Sequence, residues 1–463
     1  MKKFKLIAII FTILAMVGTP VIFQMSKTSR KNYFMVPMRD GKSLFTRVLY
    51  PANFSSDGSA PVMLVRTPYD VNSEIYTSQG LAWANKGYVA VLQDLRGLHG
   101  SKFAGDFPVF FSDAFDGADT VKWVLKQSWC NGFIASAGAS AEAATQLMYH
   151  PETNGVKAAF IHAGPSDLYD YWLFPGGCLR KNFVEAWLPR EGYNKYTEII
   201  ANPAKDVAFW EKTSITLNSR FENITTRAVH FGGWYDCFQQ GTIDSFMYYN
   251  YNATEYAKEH QFLVMGPWHH GGNQHSGVDY SNLEYGIDIA QELRDSLFQD
   301  ALNDGSLNWS TEDQVHYIVL GDPDSSDPKV NQWRSANDWP VPEMNYEQWY
   351  FHQNGTLSNN TPSSAANLSY LFDPSNPVRN GGGTTFLLQS PIENTPILTG
   401  AVDNADIESG RSDILKYTSD SLSSPLEIAG RLKVNLRIGS NCSDTDFTAK
   451  LLDIYPDGRE IIV

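Results

Sequence analysis

Apolar runs separated by turn signals set the first expectations for this chain. Residues 33–50 (YFMVPMRDGKSLFTRVLY) alternate around Asp40-Gly41, the pattern of a β-hairpin. Residues 60–66 (APVMLVR) form a continuous apolar run of strand length, followed by the loop Thr67-Pro68-Tyr69-Asp70; residues 87–94 (GYVAVLQD) form another, ending at Leu95-Arg96-Gly97. Helical periodicity runs from Asp113 to Lys126, and further short apolar runs occupy 133–137, 156–163, 227–231 and 261–265. Strands buried on both faces and alternating with helical segments predict a parallel sheet wrapped by helices. Functional loops in such a sheet lie at the C-terminal ends of its strands.

Residues 166–225, between two predicted strands, are too many for a structureless loop and carry Trp172, Phe174, Trp187 and Trp210. They predict a cap over the sheet edge, its aromatics either lining a pocket or packing as core. From about residue 345 the texture changes to short β-like runs between Gly, Pro, Asn and Ser turns, among them Leu368–Phe372, Leu432–Arg437 and Phe447–Asp453. That texture predicts an all-β sandwich. The last residues, Ile461-Ile462-Val463, read as the middle of a strand, so the sandwich is expected to be partial.

Composition narrows the function classes. A chain of 463 residues implies two or three domains, and 43% hydrophobic with 13% aromatic residues is globular. A net charge of −15, with no cluster of Lys or Arg, argues against a nucleic-acid partner. Residues 1–31 open with the basic Met1–Lys5 and continue through an uncharged stretch from Leu6 to Phe23, broken by Pro20 and lacking a clean cleavage site. This predicts a signal anchor or signal peptide, with the uncleaved anchor favoured and the membrane as a partner of that segment. Sequons at Asn53, Asn223, Asn252, Asn308, Asn354, Asn359, Asn367 and Asn441 also favour a body outside the cytosol, membrane-anchored or secreted. Cys130, Cys178, Cys237 and Cys442 lack zinc-ligand spacing, and their three conceivable pairings stay open beside buried free thiols.

The candidate chemistry centres on residues 129–150, WCNGFIASAGASAEAATQLMYH. A turn, an apolar strand and a helix meet at Ser140 in a corner of small residues, Gly138, Ala139, Ala141 and Ala143. A serine on a tight strand-to-helix turn projects its oxygen from the sheet, with the helix N-terminus facing a developing oxyanion. The second glycine of a G-x-S-x-G elbow is replaced by Glu142. A hydrolase of this topology takes its acid and then its histidine later in the chain. The strand at 227–231 leads into Gly232-Gly-Trp-Tyr-Asp236, and that at 261–265 into Gly266-Pro-Trp-His-His270. Asp236 would hold the imidazole of His270, and His270 would take the serine proton and return it to the leaving group, with the adjacent His269 a bystander.

These segments also carry a family resemblance. Asp40-Gly41, Arg66-Thr-Pro-Tyr69, Gln93-Asp-Leu-Arg-Gly97, Trp129-Cys-Asn-Gly132, Gly232–Asp236, Gly266–His270 and Cys442-Ser-Asp-Thr-Asp-Phe447 occur in the order seen in the X-Pro dipeptidyl-peptidase and cocaine esterase family of α/β-hydrolases. The resemblance spans residues 33–463. It implies an α/β-hydrolase catalytic domain over 32–165 and 226–340, a helical cap over 166–225, and a partial jelly-roll β-sandwich over 341–463. It implies a triad of Ser140, Asp236 and His270, with the Tyr69 hydroxyl and the Ala141 backbone N–H as the oxyanion hole.

Three departures stand out. Ala141 and Ala143 replace the family's Tyr and Gly, and Glu142 is shared with relatives that hydrolyse α-amino acid esters. Glu142 is therefore a candidate for binding a substrate ammonium, set against a solvated or capping carboxylate in the first helical turn. The jelly roll of the family continues past its D-T-D-F segment further than this chain does, which suggests a fragment or a chain completed by oligomerisation. The expected activity is hydrolysis of an ester or amide acyl bond through an acyl-enzyme, without metal or organic cofactor, on a small acyl compound or short peptide. Release of N-terminal X-Pro dipeptides is the second reading, and a catalytically inactive extracellular binding module the third.

Overall fold

The computed structural model describes residues 32–181, 183–188, 196–205, 207–258, 260–273, 275–280, 283, 286–303, 313–386 and 397–463. The candidate anchor at 1–31 and the sequon at Asn308 lie outside them. Among the described residues no helix is long and apolar enough to cross a membrane.

The hairpin read around Asp40-Gly41 is formed by β1 (Tyr33–Pro37) and β2 (Ser43–Leu49). After it come β3 (Ala60–Thr67), α1 (Glu74–Asn85), β4 (Val89–Asp94), α2 (Asp113–Val124), β5 (Cys130–Ala139), α3 (Ala141–Tyr149) and β6 (Ala158–His162). The remaining body is β7 (Arg227–Tyr235), α4 (Gln239–Asn252), β8 (Gln261–His269), α5 (Gly286–Leu302), β9 (Val315–Val319) and β10 (Gln332–Ala336). The ten strands form one sheet in the order β1-β2-β4-β3-β5-β6-β7-β8-β9-β10. Every pairing from β4 to β9 is parallel, while β1, β2 and β10 pair antiparallel.

Side-chain alternation explains how this sheet is covered. Met63 and Val65 of β3 face one layer with Trp83 of α1 and Ala290, Leu297 and Phe298 of α5. Val62 and Leu64 face the opposite layer with Val121 and Val124 of α2 and Tyr149 of α3. Both faces are thus apolar, which is why the central strands lack polar alternation. Helix α1 lies close to the sheet, since a methyl on Gly80 would come within 2.6 Å of Leu49 Cδ1. Arg66, just before the Thr-Pro-Tyr loop, is buried and paired to Asp113 at 2.6 Å, pinning the start of α2 across the sheet.

The chain leaves β3 toward β4 on one side and returns to β5 on the other. That reversal opens a crevice at the C-terminal ends of β3 and β5, the switch point where α/β sheets bind ligands. Tyr69 follows β3 and Ser140 follows β5, so the topology brings two distant candidates to one place.

Between β6 and β7 the described residues of the covering segment include π-helical turns at Tyr169–Leu173 and Phe183–Trp187, an α-helical stretch at Tyr196–Ile200, and 3-10 turns at Glu211–Thr213 and Leu217–Asn223. Aromatic packing holds these turns together. Trp172, Phe174, Phe183, Trp187 and Trp210 are buried in one cluster with Phe107 and Phe110 of the body.

The C-terminal region, expected as a partial β-sandwich, forms little regular sheet. Among its described residues only two short ladders form, Tyr350–Phe351 with Leu357–Ser358 and Leu452–Ile454 with Glu460–Ile462. The runs at Leu432–Arg437 and Leu368–Phe372 join no ladder, and Leu371, Leu432 and Ile438 are more than half exposed. An isolated strand cannot satisfy its backbone or cover its apolar face, so alternation alone does not form a sheet. What docks the region is a small cluster of Ala401, Tyr455 and Ile461 against Tyr235, Val278 and Tyr280.

Candidate active site

Ser140 occupies the corner between β5 and α3 at φ 58° and ψ −116°, a conformation unfavourable for a side-chain-bearing residue. Its N–H donates to His162 O at 2.9 Å, and its carbonyl accepts from Ala144 N–H at 2.9 Å, so both neighbours hold the strained turn. Small residues are needed here for identifiable reasons. A methyl on Gly138 would sit 2.4 Å from Glu142 Cβ. Ala143 is fully buried, and its methyl lies over Gly164 of the next strand's exit, where a Cβ would come within 3.3 Å of it. The methyl that replaces the family's glycine therefore has space because position 164 has none.

The structure brings Ser140, His270 and Asp236 into one chain of hydrogen bonds. His270 Nε2 lies 2.9 Å from Ser140 Oγ, and His270 Nδ1 lies 2.9 and 3.1 Å from the two carboxylate oxygens of Asp236. Asp236 follows β7, and its Oδ1 also accepts the Phe238 N–H at 2.7 Å. The neighbouring His269 is occupied elsewhere: its Nδ1 accepts the Gly271 N–H at 3.0 Å and its ring meets His275 edge-on. For His270, burial pulls the pKa down but the Asp236 carboxylate and the Cys237 thiol override it, and the group lies well above the ordinary histidine range. Burial pushes Asp236 up, and His270 more than offsets that, leaving it below the ordinary carboxylate range.

Tyr69 is half-buried on the loop after β3, and its oxygen accepts a hydrogen bond from Trp187 Nε1 at 3.1 Å. Ala141 is the first residue of α3, where a backbone N–H has no carbonyl within its own helix. Phe238 meets the His270 ring edge-on and Phe386 lies tilted against it, with centroids 5.1 and 6.3 Å away.

Glu142 does not take the position expected of a substrate-binding carboxylate. It is 1% exposed beneath the elbow, accepts the Tyr76 hydroxyl on one oxygen, and accepts the Ala139 N–H at 3.2 Å on the other. The first-turn position that suggested an outward carboxylate points this side chain at the β3–α1 connection instead. Sequence reasoning offers Trp187 only as a cap aromatic, and does not point to Phe386, Tyr76 or Cys237 as contributors. Their only sequence signals were aromatic enrichment and the adjacency of Cys237 to Asp236.

Among the described residues one group has metal-ligand character, Asp236, Cys237 and His270, whose ligand atoms lie within 4.8 Å of one another. Two of these atoms already bond to each other within the hydrogen-bonded chain, so the set reads as that chain with a thiol beside it. All four cysteines are free thiols.

Comparison with known proteins agrees with this architecture. The family model of the X-Pro dipeptidyl-peptidase (S15 family) matches residues 40–206 and 189–272, and that of the X-Pro dipeptidyl-peptidase C-terminal non-catalytic domain matches 308–463. A cocaine esterase of Rhodococcus sp. (strain MB1 Bresler) is 29% identical over 92% of this chain and 80% of its own. Among solved structures, an α-amino acid ester hydrolase superposes with a TM-score of 0.59 at 21% identity, over 89% of this chain and 76% of its own. A CocE/NonD family hydrolase from Staphylococcus aureus superposes with a TM-score of 0.57 at 21% identity, over 72% of this chain and 60% of its own. With the catalytic-domain model matched across the sheet that carries the elbow, and the C-terminal model matched beyond it, this chain belongs to the X-Pro dipeptidyl-peptidase (S15) family and is a serine hydrolase.

Proposed function

We propose that the protein hydrolyses ester or amide acyl bonds through an acyl-enzyme on Ser140. The observation that carries this reading is the unbroken run of hydrogen bonds from Asp236 through His270 to Ser140. His270 takes the proton from Ser140 Oγ as that oxygen bonds to the acyl carbon, then delivers it to the departing alcohol or amine. Asp236 stabilises the imidazolium formed in between and fixes which ring nitrogen faces the serine. The carbonyl oxygen, turning anionic, receives the Tyr69 hydroxyl and the Ala141 N–H. Water then repeats the attack with His270 as base and frees the acid.

A general acyl hydrolase ranks ahead of an X-Pro exopeptidase. Holding a peptide N-terminus takes a carboxylate facing the substrate, and Glu142, the carboxylate nearest the nucleophile in sequence, is engaged below the elbow. The family model's description keeps the exopeptidase as the second reading. The experiment is hydrolysis of p-nitrophenyl butyrate beside Gly-Pro-p-nitroanilide by the protein and by Ser140→Ala. Ester cleavage by the parent alone supports the esterase, and anilide cleavage the exopeptidase. If a folded protein cleaves neither and takes no fluorophosphonate label, an inactive binding module replaces both.

We also infer a body outside the cytosol, membrane-anchored or secreted through residues 1–31. Every described sequon asparagine, Asn53, Asn223, Asn252, Asn354, Asn359, Asn367 and Asn441, is exposed, as an acceptor must be. Expression in a glycosylating host should give a protein whose mass falls on glycosidase treatment; an unchanged mass removes this inference.

A further inference from the structure

A single line of hydrogen bonds runs beneath the crevice from the β3 exit to the β5 exit. The Tyr69 N–H donates to Thr67 Oγ1 at 3.2 Å. The Thr67 hydroxyl donates to the Tyr76 oxygen at 2.7 Å, and the Tyr76 hydroxyl donates to Glu142. The other Glu142 oxygen accepts the Ala139 N–H at 3.2 Å, one residue before Ser140. Each group donates once toward Glu142, so the direction of the line is set by its end. Thr67, Tyr76 and Glu142 are all buried, at 0, 3 and 1% exposure.

We propose that Glu142 is a positioning residue for the oxyanion hole, tying the loop that carries Tyr69 to the elbow that carries Ser140 and Ala141. This inference rests on the acyl-hydrolase reading above. Three features separate it from ordinary packing. Filling the space would need only an apolar side chain, whereas a buried carboxylate costs desolvation unless its acceptors are used. Burial pushes Glu142 up to about 7 against the pull of the Tyr76 hydroxyl and the Ala139 N–H, so the site bears that cost. Gly138 leaves room for the carboxylate as well, since a Cβ there would come within 3.1 Å of Glu142 Oε2.

The two oxyanion donors come from different strands, and a shift of either by a fraction of an ångström weakens bonds that tighten only as charge develops. A residue that sets their spacing acts on the transition state more than on the bound substrate, so its loss lowers kcat and leaves KM. Glu142→Gln keeps the shape but points an N–H₂ group at one of two donors. Tyr76→Phe removes a single oxygen and breaks the same line one step away.

The test measures p-nitrophenyl butyrate hydrolysis per Ser140 titrated with a fluorophosphonate, for the parent, Glu142→Gln, Tyr76→Phe and the double variant, with Ser140→Ala as the blank for both labelling and turnover. Titration removes misfolded protein from the count, and Tyr76→Phe carries the test if Glu142→Gln does not fold. The expected result is a kcat lower by roughly 10- to 100-fold in each single variant, below the cost of deleting an oxyanion donor, with KM within about twofold. The double variant should be no slower than the slower single, because both break one connection. A kcat per titrated site within about twofold of the parent, losses confined to KM, or losses that multiply in the double variant each overturn the proposal. Parent turnover that depends on Ser140 while the variants are unaffected sinks this inference alone, whereas a parent without Ser140-dependent turnover sinks the acyl-hydrolase reading and this one together.

Discussion

The Trp187 indole N–H donates to the Tyr69 oxygen at 3.1 Å, with the two rings edge-on at 6.5 Å. The indole thus occupies one lone pair of the phenol oxygen from the cap side, next to the place where the proposed oxyanion forms beside Ser140. A turn of the cap thereby contacts the side chain of a residue on the loop after β3. Replacing Trp187 with Phe keeps most of the ring packing and removes the donor. The expected loss in kcat is about 3- to 10-fold, the worth of one neutral hydrogen bond, and Tyr69→Phe should lose more. Equal kcat in Trp187→Phe and parent would show that the indole only packs.

The charge balance of the His270–Asp236 pair predicts a pH profile. His270 must be neutral to accept the Ser140 proton, and Asp236 raises its pKa well above the ordinary value. The kcat/KM should therefore climb with pH through an apparent pKa above 6.5, the neutral base being populated only on the alkaline side. Asp236→Asn removes the stabilising charge, so the midpoint should move down while kcat falls by about 10⁴-fold, as expected when a triad acid is lost. Profiles of both proteins over pH 5–9 decide this, on the scale of ordinary side-chain pKa values. An unmoved midpoint would mean that Asp236 does not set the basicity of His270.

Much of this site was legible before the fold because it sits at strand ends. Ser140, Asp236 and His270 each follow an apolar run of the length of a buried strand, and the order of acid and histidine follows from the topology, whereas Tyr69 comes only from the family resemblance. Position along a strand cannot reveal where a side chain turns. Glu142 shares its sequence features with any solvated first-turn carboxylate, and only the placement of α1 beside the elbow gives it the Tyr76 hydroxyl. Trp187 was legible as an aromatic and not as a donor, since the five-residue turn at Phe183–Trp187 is too short to show a periodic face. The C-terminal runs show the converse limit. Leu432, Val434, Leu436 and Ile438 alternate as a half-buried strand should, yet alternation states only what a strand would cover, and among the described residues nothing pairs with it.

Buried neutral histidines should govern the acid limb of stability. His150 is fully buried, with Nδ1 2.8 Å from the Tyr249 hydroxyl oxygen and Nε2 3.2 Å from Ser136 Oγ, and burial lowers its pKa to about 3. The unfolded chain binds a proton at this residue below about 6.5 while the folded chain does not, so stability falls as pH falls through that window. By pH 4 the contribution amounts to about 3 kcal/mol. His150→Gln keeps hydrogen-bonding capacity and cannot titrate, so its melting temperature should drop less than the parent's between pH 7 and pH 4. His230, lowered to about 3 by burial, still titrates in the variant, so part of the acid limb remains. Parallel melting curves across that range would show that His150 contributes nothing to it.

Gly233 separates activity from stability most sharply. It lies in β7 opposite Gly266 of β8, where the register slips just before Asp236 and His270, and a methyl at this position would sit 2.1 Å from the Trp268 carbonyl oxygen. The obstacle is backbone, so Gly233→Ala can be relieved only by parting the two strands at their C-terminal ends. Overpacking of this kind costs about 1–3 kcal/mol of stability, which a domain of this size can tolerate. The same displacement moves the Asp236 carboxylate relative to His270, and a misplacement of about 1 Å in a catalytic pair costs on the order of 100-fold in rate. Gly233→Ala should accordingly remain folded, melt a few degrees lower, and lose about 100-fold in kcat per titrated Ser140. A variant that melts lower with unchanged kcat would show that the strand ends relax independently of the pair they carry.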